Sequence, residues 1–294
     1  MKHDLEKIET CPICKSESFS LYIKAVDHNV SGDYFSISQC NGCGYRFTNP
    51  RPKEKTIGSY YKSEDYVSHN STKKGLINKI YHVVRAIQFK RKHKEIVSMQ
   101  KTKGKDLLDV GCGTGDFIKY MRKNGWKADG VETDKQARGL AKKEGSLRIY
   151  SSIEDKNLNK YDVITMWHVL EHIYDLDSFL SRIGSLLKKN GVLVIGVPNS
   201  NSYDAAYYGE NWFAYDLPIH VSHFRKNDIE NIFKKHDLKL KSIKPLVFDA
   251  YYISMLSEQK SKNSSLFGLV RGFTSNTKAK KSGEYSSLTY YLFK

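Results

Sequence analysis

Residues 107–117 read LLDVGCGTGDF. An apolar run ending near Asp109 passes into three glycines, Gly111, Gly113 and Gly115, and then into FIKYMRKNG, a helical pattern closed by Gly125. Strand, glycine turn, helix is the order of a nucleotide-cofactor loop, because glycines permit the tight turn and let backbone N–H groups come close to a ligand. The second strand, KADGVET, ends near Glu132, which stands 21 residues after Gly111 (132 − 111) where a carboxylate can accept both ribose hydroxyls. The spacing is G-x-G-x-G, not the G-x-G-x-x-G that seats a pyrophosphate, and Asp116 stands where a phosphate would be repelled. These residues speak against a dinucleotide and for a cationic ligand without phosphates.

Outward from this loop, strands and helices alternate from about residue 105. LRIYS is a third strand, YDVITMW (161–167) a fourth and GVLVIGVPN (191–199) a fifth, with DLDSFLSRIGSLLKKNG between the last two as an amphipathic helix ending on Gly191. A loop-rich insert at 200–223, a helix at KNDIENIFKKHD, a strand at LKLKSIKPLVF, a Ser/Lys-rich stretch at 260–282 and a strand at YSSLTYYLF complete the chain. Alternation of this kind predicts an α/β, Rossmann-like, doubly wound sheet covered on both faces.

Towards the N-terminus, Cys11, Cys14, Cys40 and Cys43 form two C-x-x-C pairs, the pattern of a zinc ribbon over residues 1–50. Four thiolates fill a tetrahedral shell, so this zinc is expected to be structural. NPRP at 49–52 marks a boundary, followed by a linker and a basic amphipathic helix within 51–104 and the main domain at 105–294. In that helix Leu76, Ile80, Val83, Val84, Ile87 and Ile96 are expected on one packing face.

The net charge of +16 is local: residues 73–105 carry eleven Lys/Arg against one acid (+10), and residues 260–294 carry seven against one (+6). Such segments attract nucleic acid or anionic lipid headgroups, or form a solvated face. With no apolar stretch for a signal peptide or a membrane span, the expected location is cytoplasmic.

WHVLEH (167–172) contains His168, Glu171 and His172 in the H-x-x-E-H spacing of a zinc-peptidase class. That chemistry needs the motif inside a helix; here it starts at a strand's end, where doubly wound sheets bind ligands. The insert adds ENWFAYDLPIHVSHF, with Trp212, Asp216, His220 and His223. Three roles compete. A histidine could serve as general base at neutral pH. His168, Glu171, His172 and His220 could hold a second, divalent metal. Glu171 and His172 could merely cap the following helix. Trp212 reads as a lid or acceptor-stacking residue, or as core.

LLDVGCGTGDF, GVETD, YDVITMWHVLEHI and GVLVIGVPN, in this order and spacing, resemble the class I S-adenosylmethionine-dependent methyltransferases over roughly residues 105–200. The resemblance implies a seven-stranded sheet with an antiparallel last strand and S-adenosyl-L-methionine as cofactor. Asp109, Gly111, Gly113 and Gly115 would border its methionine half, Glu132 its ribose, and Ser152 and Ile153 its adenine, with Trp167 also at the cofactor. The cysteine module resembles that of some bacterial methyltransferases, including sugar C-methyltransferases. A comparable Glu-His element with a later histidine holds magnesium in small-RNA 2′-O-methyltransferases, where a carboxylate replaces His168. The implied function is methyl transfer to a small-molecule, glycan-type or lipid-linked acceptor under the insert. RNA methylation is the alternative, and a non-catalytic binding protein of the same fold is the third reading.

Overall fold

The computed structural model describes residues 4–61, 76–143 and 147–294, and of 76–83 the backbone alone. The first part holds β1 (Leu5–Glu6), β2 (Phe19–Val26), β3 (Tyr34–Cys40), β4 (Arg46–Thr48) and β5 (Arg51–Pro52). Next come α1 (Leu76–Met99), β6 (Asp106–Val110), α2 (Asp116–Lys123), β7 (Lys127–Val131), α3 (Lys135–Lys143) and β8 (Ile149–Tyr150). They are followed by β9 (Tyr161–Trp167), α4 (Leu176–Leu186), β10 (Leu187–Pro198), α5 (Tyr203–Tyr208) and β11 (Ser222–His223). The chain ends with α6 (Asp228–Phe233), β12 (Lys239–Pro245), α7 (Asp249–Lys260), α8 (Ser265–Ser282) and β13 (Ser287–Phe293).

Seven strands form the main sheet in the order β12-β13-β10-β9-β6-β7-β8. β13 runs antiparallel to both neighbours and the remaining pairs are parallel, which is the expected Rossmann-like architecture. Its central strands are apolar on both faces because each face is covered. Leu108, Ile164 and Leu193 point to one side, against Leu180 and Ile183 of α4. Their neighbours Leu107, Val163 and Val192 point to the other, against Ile118 and Met121 of α2 and Ile96 of α1. The period-two alternation of a strand thus divides the interior into two layers.

Two expectations are corrected. The helix after the fourth strand stops at Leu186, not Gly191, and Leu187 already pairs with Tyr161. Lys188 is drawn out of helical register by Asp106 and Asp162, whose carboxylates lie 2.5 and 2.9 Å from its ammonium. On α1, Ile87 is 48% exposed; Phe89, Ile96 and Met99 make the packing face, while the side chains of Leu76, Ile80 and Val83 lie outside the described residues. The Ser/Lys-rich stretch is the helix α8. It lies so close to α7 that a Cβ on Gly268 would come within 2.4 Å of the Met255 Cα. Small residues therefore take the inner face, and Leu266, Phe267, Leu269, Val270 and Phe273 are left outside, 45% to 73% exposed.

Backbone pairing continues across the expected boundary at residue 50. β1 pairs with β5, and β11, from the insert, joins the N-terminal sheet as the neighbour of β4 in the order β11-β4-β3-β2. Arg46 fastens the junction by donating to the Ser200 carbonyl at 2.8 Å, its guanidinium 3.7 Å from the Tyr22 ring. Among the described residues no helix is long and apolar enough to cross a membrane.

Asp162 gives the fold a pH dependence. Burial opposes its charge, but the Lys188 ammonium, the Asp106 N–H and the Thr102 hydroxyl outweigh burial and hold the carboxyl below its ordinary value. A depressed carboxyl contributes stability above its unfolded value and loses it as pH falls through the folded one. Asp162→Asn should therefore cost about 1–3 kcal/mol at neutral pH. Urea denaturation should show wild type and variant converging as the pH drops below about 4; a gap of constant size would refute the assignment.

Candidate functional site

The site lies at the carboxyl ends of β6, β7 and β9. Gly111 turns the chain at φ +71°, and a Cβ there would strike Val169 Cγ2 at 2.4 Å. Gly113, at φ +54°, has no atom within 4 Å of where a Cβ would sit, so its backbone faces open space, as a ligand-facing loop requires. Glu132 follows β7 and is buried. Its Oε2 accepts the Gly113 N–H and its Oε1 the Asp134 N–H, each at 2.8 Å. Each oxygen keeps a second lone pair for a hydroxyl donor.

Asp109 is buried at the end of β6, and burial pushes its carboxyl up to about 7 against the Thr165 hydroxyl, which donates at 2.6 Å, and the Lys92 ammonium. Gly115 begins α2 at φ +77°. The Glu132 N–H bonds the Tyr150 carbonyl, which brings the segment after β8 alongside. There Ser152 accepts the Glu154 N–H with its hydroxyl, and Ile153 packs on the core. Trp167 packs edge-on against Phe117, and its indole Nε1 is buried without a hydrogen-bond partner.

The histidines separate into different environments. His168, at φ +56°, places Nε2 3.0 Å from Asp249 Oδ2 and Nδ1 3.3 Å from Glu171 Oε1. Burial would lower its pKa, but the two carboxylates outweigh that and raise it to about 10. It is a clamped imidazolium at neutral pH, although its side chain is 40% exposed. His172 and His220 are the opposite case: their rings lie 4.6 Å apart, and burial lowers both, His172 to about 4. Each Nδ1 meets a backbone carbonyl, Ile219 for His172 at 3.1 Å and Ala214 for His220 at 3.0 Å. Glu171 is buried between them, and one ligand atom from each of Glu171, His172 and His220 lies within 4.8 Å of the others.

Several expected roles are redrawn here. His168 bridges Asp249 and Glu171, and it is not among the three residues, Glu171, His172 and His220, whose ligand atoms all lie within 4.8 Å of one another. His223 is also outside that group, its Nε2 2.9 Å from the Thr48 hydroxyl and its ring against Tyr215. Glu171 and His172 do not cap α4; Asp175 does, accepting the Ser178 N–H at 3.1 Å. Trp212 is a core residue rather than a stacking platform: it is 1% exposed and donates Nε1–H to Asp204 at 2.8 Å. Asp216 accepts the Asn29 amide at 2.8 Å.

At the far side, the Cys11–Cys43 and Cys14–Cys40 sulfurs are 3.7 and 3.5 Å apart, all four within 4.8 Å and none in a disulfide. Four thiolates about a tetrahedral zinc stand ~3.8 Å apart, so the donor set fits that ion. Burial opposes ionisation at Cys40, but the N–H groups of Cys43 and Gly42 and the Cys14 thiol outweigh it and lower Cys40 to about 6.

A family model described as "Methyltransferase domain" matches residues 85–243, more than half of the chain. The chain belongs to this methyltransferase family. Ubiquinone biosynthesis O-methyltransferase of Pelagibacter ubique is 31% identical over 156 residues, 49% of this chain and 65% of the relative. The protein of the same name from Haemophilus ducreyi is 31% identical over 138 residues, 42% of this chain and 58% of the relative. The chain thus spans less than two thirds of the length of these two relatives. That of Rickettsia felis is 24% identical over 197 residues, 62% of this chain and 81% of the relative. A solved structure described as a sarcosine dimethylglycine methyltransferase from Galdieria sulphuraria superposes with a TM-score of 0.50 at 14% identity, covering 72% of this chain and 85% of that one. At that identity the likeness is one of fold.

Two residues of this methyltransferase domain escaped the sequence reading. Asp249 opens α7 directly after the sixth strand in chain order of the sheet, and the rule that loops after parallel strands gather at one edge could have found it. Lys92 had no such signal: it sits in a basic run, yet its ammonium lies 3.6 Å from the Trp167 ring. Burial lowers its pKa to about 8 against the pull of Asp249, Asp109 and Glu95.

Proposed function

We propose that the chain transfers a methyl group from S-adenosylmethionine to an oxygen-bearing small molecule, on a sugar or lipid carrier, held beneath residues 200–223. The observation that carries this reading is Glu132, fixed by two backbone N–H groups beside the open face of Gly113, with Glu171, His172 and His220 following the next strand but one. The names of the O-methyltransferase relatives support it.

In the proposal Glu132 takes the ribose hydroxyls, Asp109, Gly111, Gly113 and Gly115 border the methionine part, Ser152 and Ile153 flank the adenine, and Trp167 closes the pocket. Lys92 meets the cofactor carboxylate over the Trp167 ring. S-adenosylmethionine supplies an activated methyl carried on a sulfonium. The chain's part is alignment for in-line displacement and a dry, polar acceptor edge. His168, kept charged by Asp249, positions Glu171 rather than taking a proton. Structural zinc at Cys11, Cys14, Cys40 and Cys43 holds the N-terminal sheet, which suits a reducing, cytoplasmic setting.

The exposed apolar face of α8, with Lys278, Lys280 and Lys281 near its end, suits an anionic lipid surface better than nucleic acid, which would call for basic and aromatic groups arranged for stacked bases. The test is incubation with radiolabelled cofactor and fractionated bacterial extract. Label is expected in a lipid or small-molecule fraction, with His220→Ala losing turnover but retaining the cofactor. Label in RNA alone would overturn the acceptor class, and no cofactor binding by calorimetry would favour a non-catalytic protein.

A further inference from the structure

We infer that the first half of α8 is a docking element for an anionic lipid bilayer, which Leu266, Phe267, Leu269, Val270 and Phe273 enter. No described residue covers these side chains, which are 45% to 73% exposed. Their direction follows from the opposite face of the helix. A Cβ on Gly272 would come within 2.7 Å of the Tyr251 Cα, so the face towards α7 admits no larger side chain and the bulky residues are turned away from the protein. Single exposed apolar residues are ordinary. Five of them within residues 266–273 of one helix form a contiguous patch, and a patch of that kind marks a surface of contact.

Shape and charge decide what makes the contact. With a residue every ~100° around the helix, the five positions spread over about 160° of its surface. That is wider than the seam a single partner helix covers, and it is the form of a helix lying in the plane of a bilayer interface. α8 carries Arg271, Lys278, Lys280 and Lys281 and no acid. The one acid of residues 260–294, Glu284, accepts the Asn199 amide at 2.8 Å. The Arg271 guanidinium lies 4.3 Å from the Tyr207 ring and the Lys278 ammonium 4.0 Å from the Tyr203 ring, and the two tyrosines stack on each other. Cations beside tyrosines at the border of an apolar patch suit the headgroup level, where an amphipathic ring and a long basic side chain each find an apolar and a polar side. A second copy docked face to face would instead set the cations of one α8 against those of the other with no carboxylate between them. Anionic headgroups complement them.

The element is joined to the site through packed helices. Gly272 of α8 packs on Tyr251, which follows Asp249 by two residues (251 − 249), and the Asp249 carboxylate holds His168 at the end of β9. α5, which carries both tyrosines, belongs to residues 200–223, beneath which the acceptor is placed. Docking through α8 therefore holds the acceptor edge at a fixed distance from the lipid surface, where a lipid-carried acceptor resides. That consequence rests on the methyl-transfer reading; the docking itself does not.

Flotation of the full-length chain, purified with zinc, tests the inference. Vesicles of equal parts phosphatidylcholine and phosphatidylglycerol should carry the chain to the lipid layer, with binding at least about tenfold weaker on phosphatidylcholine alone or in high salt, which screens the headgroup charge. Phe267→Ser combined with Phe273→Ser should weaken binding by about tenfold or more. Both side chains are exposed, so circular dichroism and S-adenosylmethionine affinity should match the wild type. Lys280→Gln combined with Lys281→Gln should cut the preference for phosphatidylglycerol by about tenfold. A wild-type chain that stays in the aqueous layer with the mixed vesicles would overturn the inference, as would a serine variant that binds them as tightly as wild type. Self-association by ultracentrifugation that the serines abolish, without vesicle binding, would assign the face to a second copy. Labelled-methyl transfer on the same samples keeps the two readings apart: a chain that docks on vesicles and labels only a water-soluble acceptor would retain the docking element and lose the lipid-carried acceptor.

Discussion

Glu132→Ala is expected to weaken S-adenosylmethionine binding by about 100-fold or more. Two charge-assisted hydrogen bonds to ribose hydroxyls at ~1.5–3 kcal/mol each give at least ~3 kcal/mol, and ~1.4 kcal/mol is a factor of ten. The loss should be compounded in the loop itself, because Glu132 also accepts from Gly113 and Asp134. Without those bonds the glycine turn loses the conformation in which its backbone faces the pocket. Glu132→Gln is the intermediate case: its amide keeps one acceptor oxygen, so one of the two loop bonds and one ribose bond survive, and binding should drop by roughly tenfold, the equivalent of ~1.4 kcal/mol. Calorimetry measures both. An alanine variant that binds within threefold of wild type would remove Glu132 from the cofactor.

The second large effect concerns the cysteines. Cys40→Ser, or removal of zinc by a strong chelator, is expected to unfold the N-terminal sheet, because a structural thiolate zinc site is worth on the order of 10 kcal/mol to a module this small. Damage should reach the acceptor edge along a short path. β4 pairs with β11, the Tyr45 hydroxyl donates to Ser222 at 2.5 Å, and Thr48 holds both the His220 carbonyl and the His223 ring. Methyl transfer should therefore fall below detection. The glycine loop and Glu132 belong to the main sheet, so cofactor affinity should change by less than about threefold, under ~1 kcal/mol. Parallel calorimetry and labelled-methyl assays would show it. Loss of cofactor binding together with turnover would mean that the N-terminal sheet supports the whole fold rather than its acceptor side.

How much could be read in advance depended on how local each cause was. The glycine loop, Glu132 and the fourth-strand edge are set by neighbours in sequence, and all three come together at one end of the sheet. The end of α4 was misread because Lys188 is pulled into the strand by Asp106, 82 residues away, against its own tendency to continue the helix. α8 was visible only as a Ser/Lys-rich stretch, because composition does not show packing, while here glycine and serine are the residues that let two helices touch. At the histidines, spacing placed His168, Glu171 and His172 together, but their division was invisible. His168 is shared between Glu171 and Asp249, the latter 81 residues on, and Thr48 engages His223 from 175 residues away.

By itself the sequence determined the class of fold, through continuous apolar strands, glycine turns and amphipathic helices, all of which act within a few residues of themselves. It also determined that four cysteines stand in two pairs suited to one ion. Tertiary structure alone decided which polar groups share a protonation state and which face one another. Charge and hydrogen bonding act through space, and only the folded chain sets the carbonyls of Ala214 and Ile219 against two imidazoles and leaves the Glu171 carboxylate buried beside them.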